Sequence, residues 1–272
     1  MNPTFKIVVI ATMISFCFTS CSNNNKNETA SVNTSIPEQE NVFREQIKQH
    51  PDSLLLKEKL IQYFRESGNY SQAIAETELA LKSDSMNGRL WFIKATLHTE
   101  NADTLLAIKS WENVAYLDPS AENLMSLGSL YALTKNIAAL EVADALLKLP
   151  KAKAQPQALF IKGLYFSAIN AKAIAIKFFD DCLLLDYSNL MAYREKAVCL
   201  YDTGKYLDAL KTLELAIAVK KTYDEAYYWM GRCYEKLNNK TAAIQNYQLA
   251  LQLDPYYVEV KDALEKLGVK AP

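Results

Sequence analysis

The chain is poor in the residues on which most protein chemistry depends. It has two histidines in 272 residues. His50 precedes a proline and His98 sits within an apolar-periodic run. Neither has a cysteine or carboxylate at ligand spacing, so no metal site is expected. His98 stands at a helix position where other parts of the chain carry tyrosine, which points to the core rather than to a ligand or base. Glycine is also scarce, at seven residues. Five of these, Gly68, Gly128, Gly163, Gly204 and Gly231, are accounted for by a spacing described below, and Gly88 and Gly268 fall at segment ends. No glycine remains to build a phosphate-cradling loop, and no G-x-S-x-G, H-E-x-x-H or P-loop string occurs. Neither sign of charge prevails: 30 basic against 31 acidic residues leave a formal net charge of −1. There is thus no broad basic field to hold nucleic acid. These absences predict a non-enzyme with no catalytic residues and no cofactor. With half its residues hydrophobic and 22% charged, the chain has ample material for a folded core.

What is present is a period. Pro51 and Pro119 lie 68 residues apart, and Pro119 and Pro255 lie 136 apart. Gly68 and Gly204 repeat the second interval, and Gly163 and Gly231 the first. Both intervals are multiples of 34, the length of a two-helix solenoid unit. The unit is cleanest at 224–257. Apolar residues recur at helical spacing over 227–237 and 242–253, Asn238-Asn239 forms a tight turn between the runs, and Asp254-Pro255 closes the unit. Such a hairpin leaves an apolar face on each helix and needs neighbours to bury it. Aligned on this unit, the chain holds six copies: 54–87, 88–120, 121–155, 156–189, 190–223 and 224–257. The second copy is one residue short and the third one residue long. An irregularity is expected near 140–155.

The pattern Tyr227, Met230, Gly231, Tyr234, Ala243, Tyr247 and Pro255 resembles the tetratricopeptide repeat (TPR) family. The small residue of the first helix recurs as Ala95, Gly128, Gly163, Ala197 and Gly231. That of the second helix recurs as Ala73, Ala107, Ala139, Ala175, Ala209 and Ala243. Trp111, Phe179, Leu213 and Tyr247 supply the large side chain one turn later. The first copy departs from the pattern with Ile61 at the small position, and the third with Ala143 where a ring is expected. The resemblance implies an all-α fold, a right-handed αα superhelix spanning 42–268, with a terminal capping helix over 258–268.

The N-terminus has a different character. Residues 7–18 form an apolar run of 12 after Lys6, shorter than the roughly 18–20 residues that span a bilayer but suited to a secretory signal. Phe18-Thr19-Ser20-Cys21 resembles the lipobox of bacterial lipoproteins. It implies a signal peptide at 1–20, lipid on Cys21 and a bacterial envelope protein anchored to a membrane. Ser22 in place of aspartate leans toward the outer membrane, facing the periplasm. Residues 21–41 carry almost no large apolar side chain and read as a flexible tether. Of the remaining thiols, Cys182, Cys199 and Cys233, the alternatives are three buried small hydrophobes or a Cys182–Cys199 bridge.

By the same resemblance, the first helices line a groove that binds a peptide or helix of a partner protein. The positions carried over are Phe92, Met125, Phe160, Leu164, Arg194, Tyr201, Tyr228, Arg232 and Lys236. The Lys-and-Asn set with which some relatives clamp a C-terminal carboxylate is missing from the first three copies. The groove is therefore expected to be apolar in the middle and basic toward its end. A non-catalytic scaffold that holds another envelope protein is the expected function. Capture of a small molecule or glycan is the alternative.

Overall fold

Helical periodicity in the sequence becomes helix throughout. The computed structural model describes residues 36–149 and 154–270, and every regular element among them is an α-helix: α1 Ile36–Gln49, α2 Leu54–Glu66, α3 Tyr70–Ser83, α4 Gly88–Glu100, α5 Thr104–Leu117, α6 Ala121–Leu133, α7 Ala138–Leu147, α8 Ala154–Ala168, α9 Lys172–Leu185, α10 Leu190–Asp202, α11 Tyr206–Val219, α12 Asp224–Lys236, α13 Lys240–Leu253 and α14 Val258–Lys266. The expected signal peptide, Cys21 and the first part of the tether lie outside the described residues. Residues 36–41, which the sequence assigns to the tether, belong to α1. Local charge explains the extension: Glu38 lies in the first turn, where carboxylates favour the helix dipole. Glu40 accepts a bond from Arg44 at 2.8 Å one turn later.

The turns within the six hairpins share one geometry. The second turn residue has a positive φ in every copy: Gly68 at 72°, Ala102 at 60°, Lys135 at 59°, Asn170 at 66°, Gly204 at 77° and Asn238 at 57°. The next residue donates its N–H five residues back, as in Asn69 to Phe64 at 2.8 Å and Asn239 to Tyr234 at 2.9 Å. This is the Schellman closure, which satisfies carbonyls that the helix end leaves bare. Ser53, Asn69, Asn87, Ser120, Asn189 and Asn239 cap the following helices, each side chain accepting a backbone N–H.

The chain divides into two compact units between Asp118 and Pro119. In the first, α1 packs on α2, and α2 to α5 form two stacked hairpins. Phe43 and Ile47 of α1 lie on the core residues Leu60, Ile61 and Phe64. In the second unit, α6 to α13 form four hairpins, with α14 against α13. Val260 and Leu264 of α14 are fully buried against Tyr247 and Leu251, while Glu259, Asp262 and Glu265 face outward.

Small residues let large ones in. A Cβ placed on Gly231 would lie 2.5 Å from Cε1 of Tyr247, and one on Gly163 would lie 2.5 Å from Cε1 of Phe179. The ring from the second helix therefore occupies the space that the missing side chain of the first vacates. The third copy has no ring to offer. Ile161, from the following hairpin, approaches Gly128 instead, its Cδ1 within 2.6 Å of a would-be Cβ. The same copy has the shortest second helix: α7 has 10 residues where the other second helices have 14.

Candidate functional site

The expected groove residues fall into three groups. Phe160 and Leu164 are not on a surface. They are 3% and 7% exposed, and Phe160 packs on Phe179 with ring centroids 5.9 Å apart. The reason is crowding around α8, which contacts α6, α7, α9 and α10. Both side chains fall on the part of α8 that its neighbours cover, so these two positions are core.

Phe92 and Met125 are surface positions in different units. Phe92 is 47% exposed and stands edge-on to Trp111, at 5.4 Å and 84°. It borders a cleft of about 330 Å³ between α2 and α4, shared with Leu55, Gln62 and Thr96. Arg89 and Glu58 form an ion pair on its rim, with one contact at 2.8 Å. Arg65 bonds Glu100 at 2.7 Å on the other side. Met125 is half-buried on α6.

Arg194, Tyr201, Tyr228, Arg232 and Lys236 lie on α10 and α12, which touch. The two arginines differ sharply. Arg194 donates to Glu225 of α12 at 2.8 and 3.0 Å and to its neighbour Glu195 at 2.8 Å. Tyr223 also donates to Glu225, at 2.7 Å. Burial, then the nearby Glu225, pushes the Tyr223 phenol well above its ordinary range, so it stays a proton donor. Arg194 is thus a brace between two first helices, with its charge neutralised.

Arg232 is held by rings instead. Its guanidinium carbon lies 5.4 Å from the centroid of Tyr201, 5.8 Å from Tyr228 and 5.5 Å from Trp229. Nη1 donates to the Tyr228 hydroxyl at 2.9 Å and Nη2 to that of Tyr201 at 3.3 Å. Packing from three sides sets the cluster. Trp229 meets Tyr201 edge-on at 5.5 Å, Tyr257 lies 5.2 Å from Tyr228, and buried Tyr247 lies 6.0 Å from Tyr228. Lys236, one turn further along α12, is exposed. The sequence assigned Tyr201, Tyr228 and Arg232 to this surface but missed Trp229 and Tyr257. The signal for both was aromatic density, with Tyr227, Tyr228 and Trp229 in succession and Tyr256 and Tyr257 at the end of the same copy.

The three thiols are free and buried. Cys182 donates to the Pro156 carbonyl at 3.2 Å and Cys199 to the Ser167 hydroxyl at 3.3 Å, so the alternative of a bridge between them is not realised. Burial pushes the Cys182 thiol up to about 12, which keeps it an inert hydrophobe.

Residues 224–257 match the tetratricopeptide repeat family. Over 91 residues, or 34% of the chain, the sequence is 31% identical to a STIP1 homolog of Dictyostelium discoideum. Over 93 residues it is 26% identical to an Hsp70-Hsp90 organising protein of Plasmodium falciparum. The chain spans 16% of the length of the first relative and 37% of the second. Among solved structures, a tetratricopeptide repeat protein from Parabacteroides merdae superposes with a TM-score of 0.70 at 18% identity, covering 86% of this chain and 92% of that one.

Proposed function

We propose that this protein is a non-catalytic scaffold that holds a segment of another protein against the first-helix face of α10 and α12. The tetratricopeptide repeat at 224–257 and the helical-hairpin fold support a protein-interaction role. A relative bearing the name Hsp70-Hsp90 organising protein agrees with it. The observation that carries the reading is the Tyr201–Tyr228–Trp229–Arg232 cluster. It groups large, partly exposed aromatic and arginine side chains, the types that dominate binding hot spots, on two neighbouring helices. The test is site-specific photo-cross-linking from Lys236 in intact cells. A discrete adduct with one protein, lost on Tyr201→Ala plus Tyr228→Ala with the fold retained, is the expected result. A uniform absence of adducts from Lys236 and from Phe92 refutes the scaffold.

The second part of the proposal is location. Cys21 carries lipid, residues 22–35 separate it from α1, and the scaffold works at the bacterial envelope, facing the periplasm from the outer membrane. Support comes from the sequence alone, in the apolar run at 7–18 and Thr19-Ser20-Cys21. Cys21→Ala is expected to abolish palmitate labelling and release the chain from membranes. Membrane association that survives the substitution overturns the anchor.

A further inference from the structure

A census of arginine singles out one residue. The sequence has five: Arg44, Arg65, Arg89, Arg194 and Arg232. The first four each contact a glutamate: Arg44 meets Glu40 and Glu76, Arg65 meets Glu100, Arg89 meets Glu58, and Arg194 meets Glu195 and Glu225. Arg232 alone has no carboxylate among the described residues. Its partners are two phenol hydroxyls and three ring faces, all of them neutral. The carboxylates nearest in sequence are engaged elsewhere. Glu225 is taken by Arg194 and Tyr223, and Glu235 accepts from Tyr247. A half-buried cation whose only neighbours are dipoles keeps its full charge in a partly desolvated site, where an added anion is worth more than in water. The guanidinium has five N–H groups, of which the two phenols occupy two, so three donors stay available.

We propose that Arg232 receives an acidic side chain of the partner segment, and that the partner carries a second acidic residue two positions away for Lys236. This rests on the scaffold reading and names the chemistry of its ligand. The spacing follows from geometry. Arg232 and Lys236 are four residues apart on α12, a rise of about 6 Å. In an extended segment, residues two apart share a face and are separated by about 6.6–6.8 Å. An acid-x-acid segment running along α12 therefore pairs one carboxylate with each cation, while the rings of Tyr201, Tyr228 and Trp229 pack beside its backbone. Two cations one helical turn apart match two carboxylates on one face of an extended segment, the arrangement of an internal stretch of chain.

The test is isothermal titration of the full-length chain with three twelve-residue peptides of otherwise identical sequence. One has an internal Glu-x-Glu, one has Gln-x-Gln there, and one has Gln-x-Gln with a free acidic C-terminus. The Glu-x-Glu peptide is expected to bind at least about 10-fold more tightly than either control, with an affinity that falls as salt rises. Arg232→Gln should weaken it about 10–100-fold, the range of a lost charge-assisted bond, while Arg232→Lys restores part of the loss. Equal binding of Glu-x-Glu and Gln-x-Gln, or affinity unchanged in Arg232→Gln, overturns the acidic-ligand inference. So does preference for the acidic C-terminus. The scaffold reading is judged separately, because cross-linking from Lys236 reports a partner whatever its charge.

Discussion

Replacing Gly231 by alanine sets two effects of opposite sign against each other, and the structure says which wins. In a helix interior, alanine is favoured over glycine by about 1 kcal/mol, so on local grounds the substitution stabilises α12. The added Cβ, however, meets Cε1, Cδ1 and Cζ of Tyr247 at 2.5, 2.7 and 2.9 Å, well inside van der Waals contact. The ring has nowhere to go. Tyr247 is fully buried, its hydroxyl donates to Glu235, and Tyr228 flanks it at 6.0 Å. Overpacking of a rigid core costs about 1–3 kcal/mol, and in so confined a place the upper part of that range applies. A net loss of about 1–2 kcal/mol is therefore expected, read as a lower urea midpoint at unchanged slope by circular dichroism. Gly231→Ala with Tyr247→Leu should show favourable coupling of about 1 kcal/mol or more, since the smaller side chain gives the methyl room. Because Tyr247 supports Tyr228, the single substitution should also weaken binding at the Arg232 cluster. Stabilisation by Gly231→Ala would refute the claim that ring-into-glycine packing determines this position.

Three further outcomes follow from the same structure. Gly128→Ala should cost less than Gly231→Ala, because the added Cβ meets the methyl ends of Ile161 and Val142, at 2.6 and 3.0 Å, rather than three atoms of one rigid ring, and urea midpoints of the two variants measure the difference. Arg194→Ala removes the cationic partner of Glu225, which is 14% exposed, and leaves it the Tyr223 hydroxyl alone; this should cost roughly 2–3 kcal/mol in urea unfolding, because the carboxylate is then poorly compensated. His98, buried with its Nδ1 3.5 Å from an Asp103 carboxylate oxygen, has its pKa lowered below 6.5, because burial outweighs the opposing effect of Asp103. Below pH 6.5 the unfolded chain therefore binds the proton that the folded one resists. Stability from this residue is complete above 6.5 and declines as the pH falls toward the folded-state value. In His98→Leu, the residue the fifth copy carries there as Leu200, the fall in urea midpoint from pH 7 to 5 should be smaller than in the parent chain.

Helices and turns were legible because their causes are local. Apolar residues at a 3.6-residue spacing, asparagine and serine caps, and a turn residue tolerant of positive φ act within a few positions of one another. A period of 34 then multiplied each signal six times. Ala102 and Lys135 were less visible turn residues than Gly68 or Gly204, since nothing in an alanine or a lysine announces a positive φ. The surface was legible only in part. Position within the unit assigned Phe160 and Tyr228 to the same face, yet one is core and the other borders the cluster. The difference lies in which side chains of adjacent helices cover each position, which no single unit encodes.

By itself the sequence determined the all-α architecture and the small and large positions that recur in each hairpin, because both follow from residue size and spacing within one repeating unit. Tertiary structure alone decided three things. It buried Phe160 and Leu164 beneath neighbouring helices, filled the space at Gly128 with Ile161 from the next hairpin, and paired Arg194 with Glu225 while surrounding Arg232 with neutral rings. Each depends on which side chain of an adjacent helix reaches a given point. Two arginines that look alike in the repeat therefore end as an internal brace and a cation without a carboxylate.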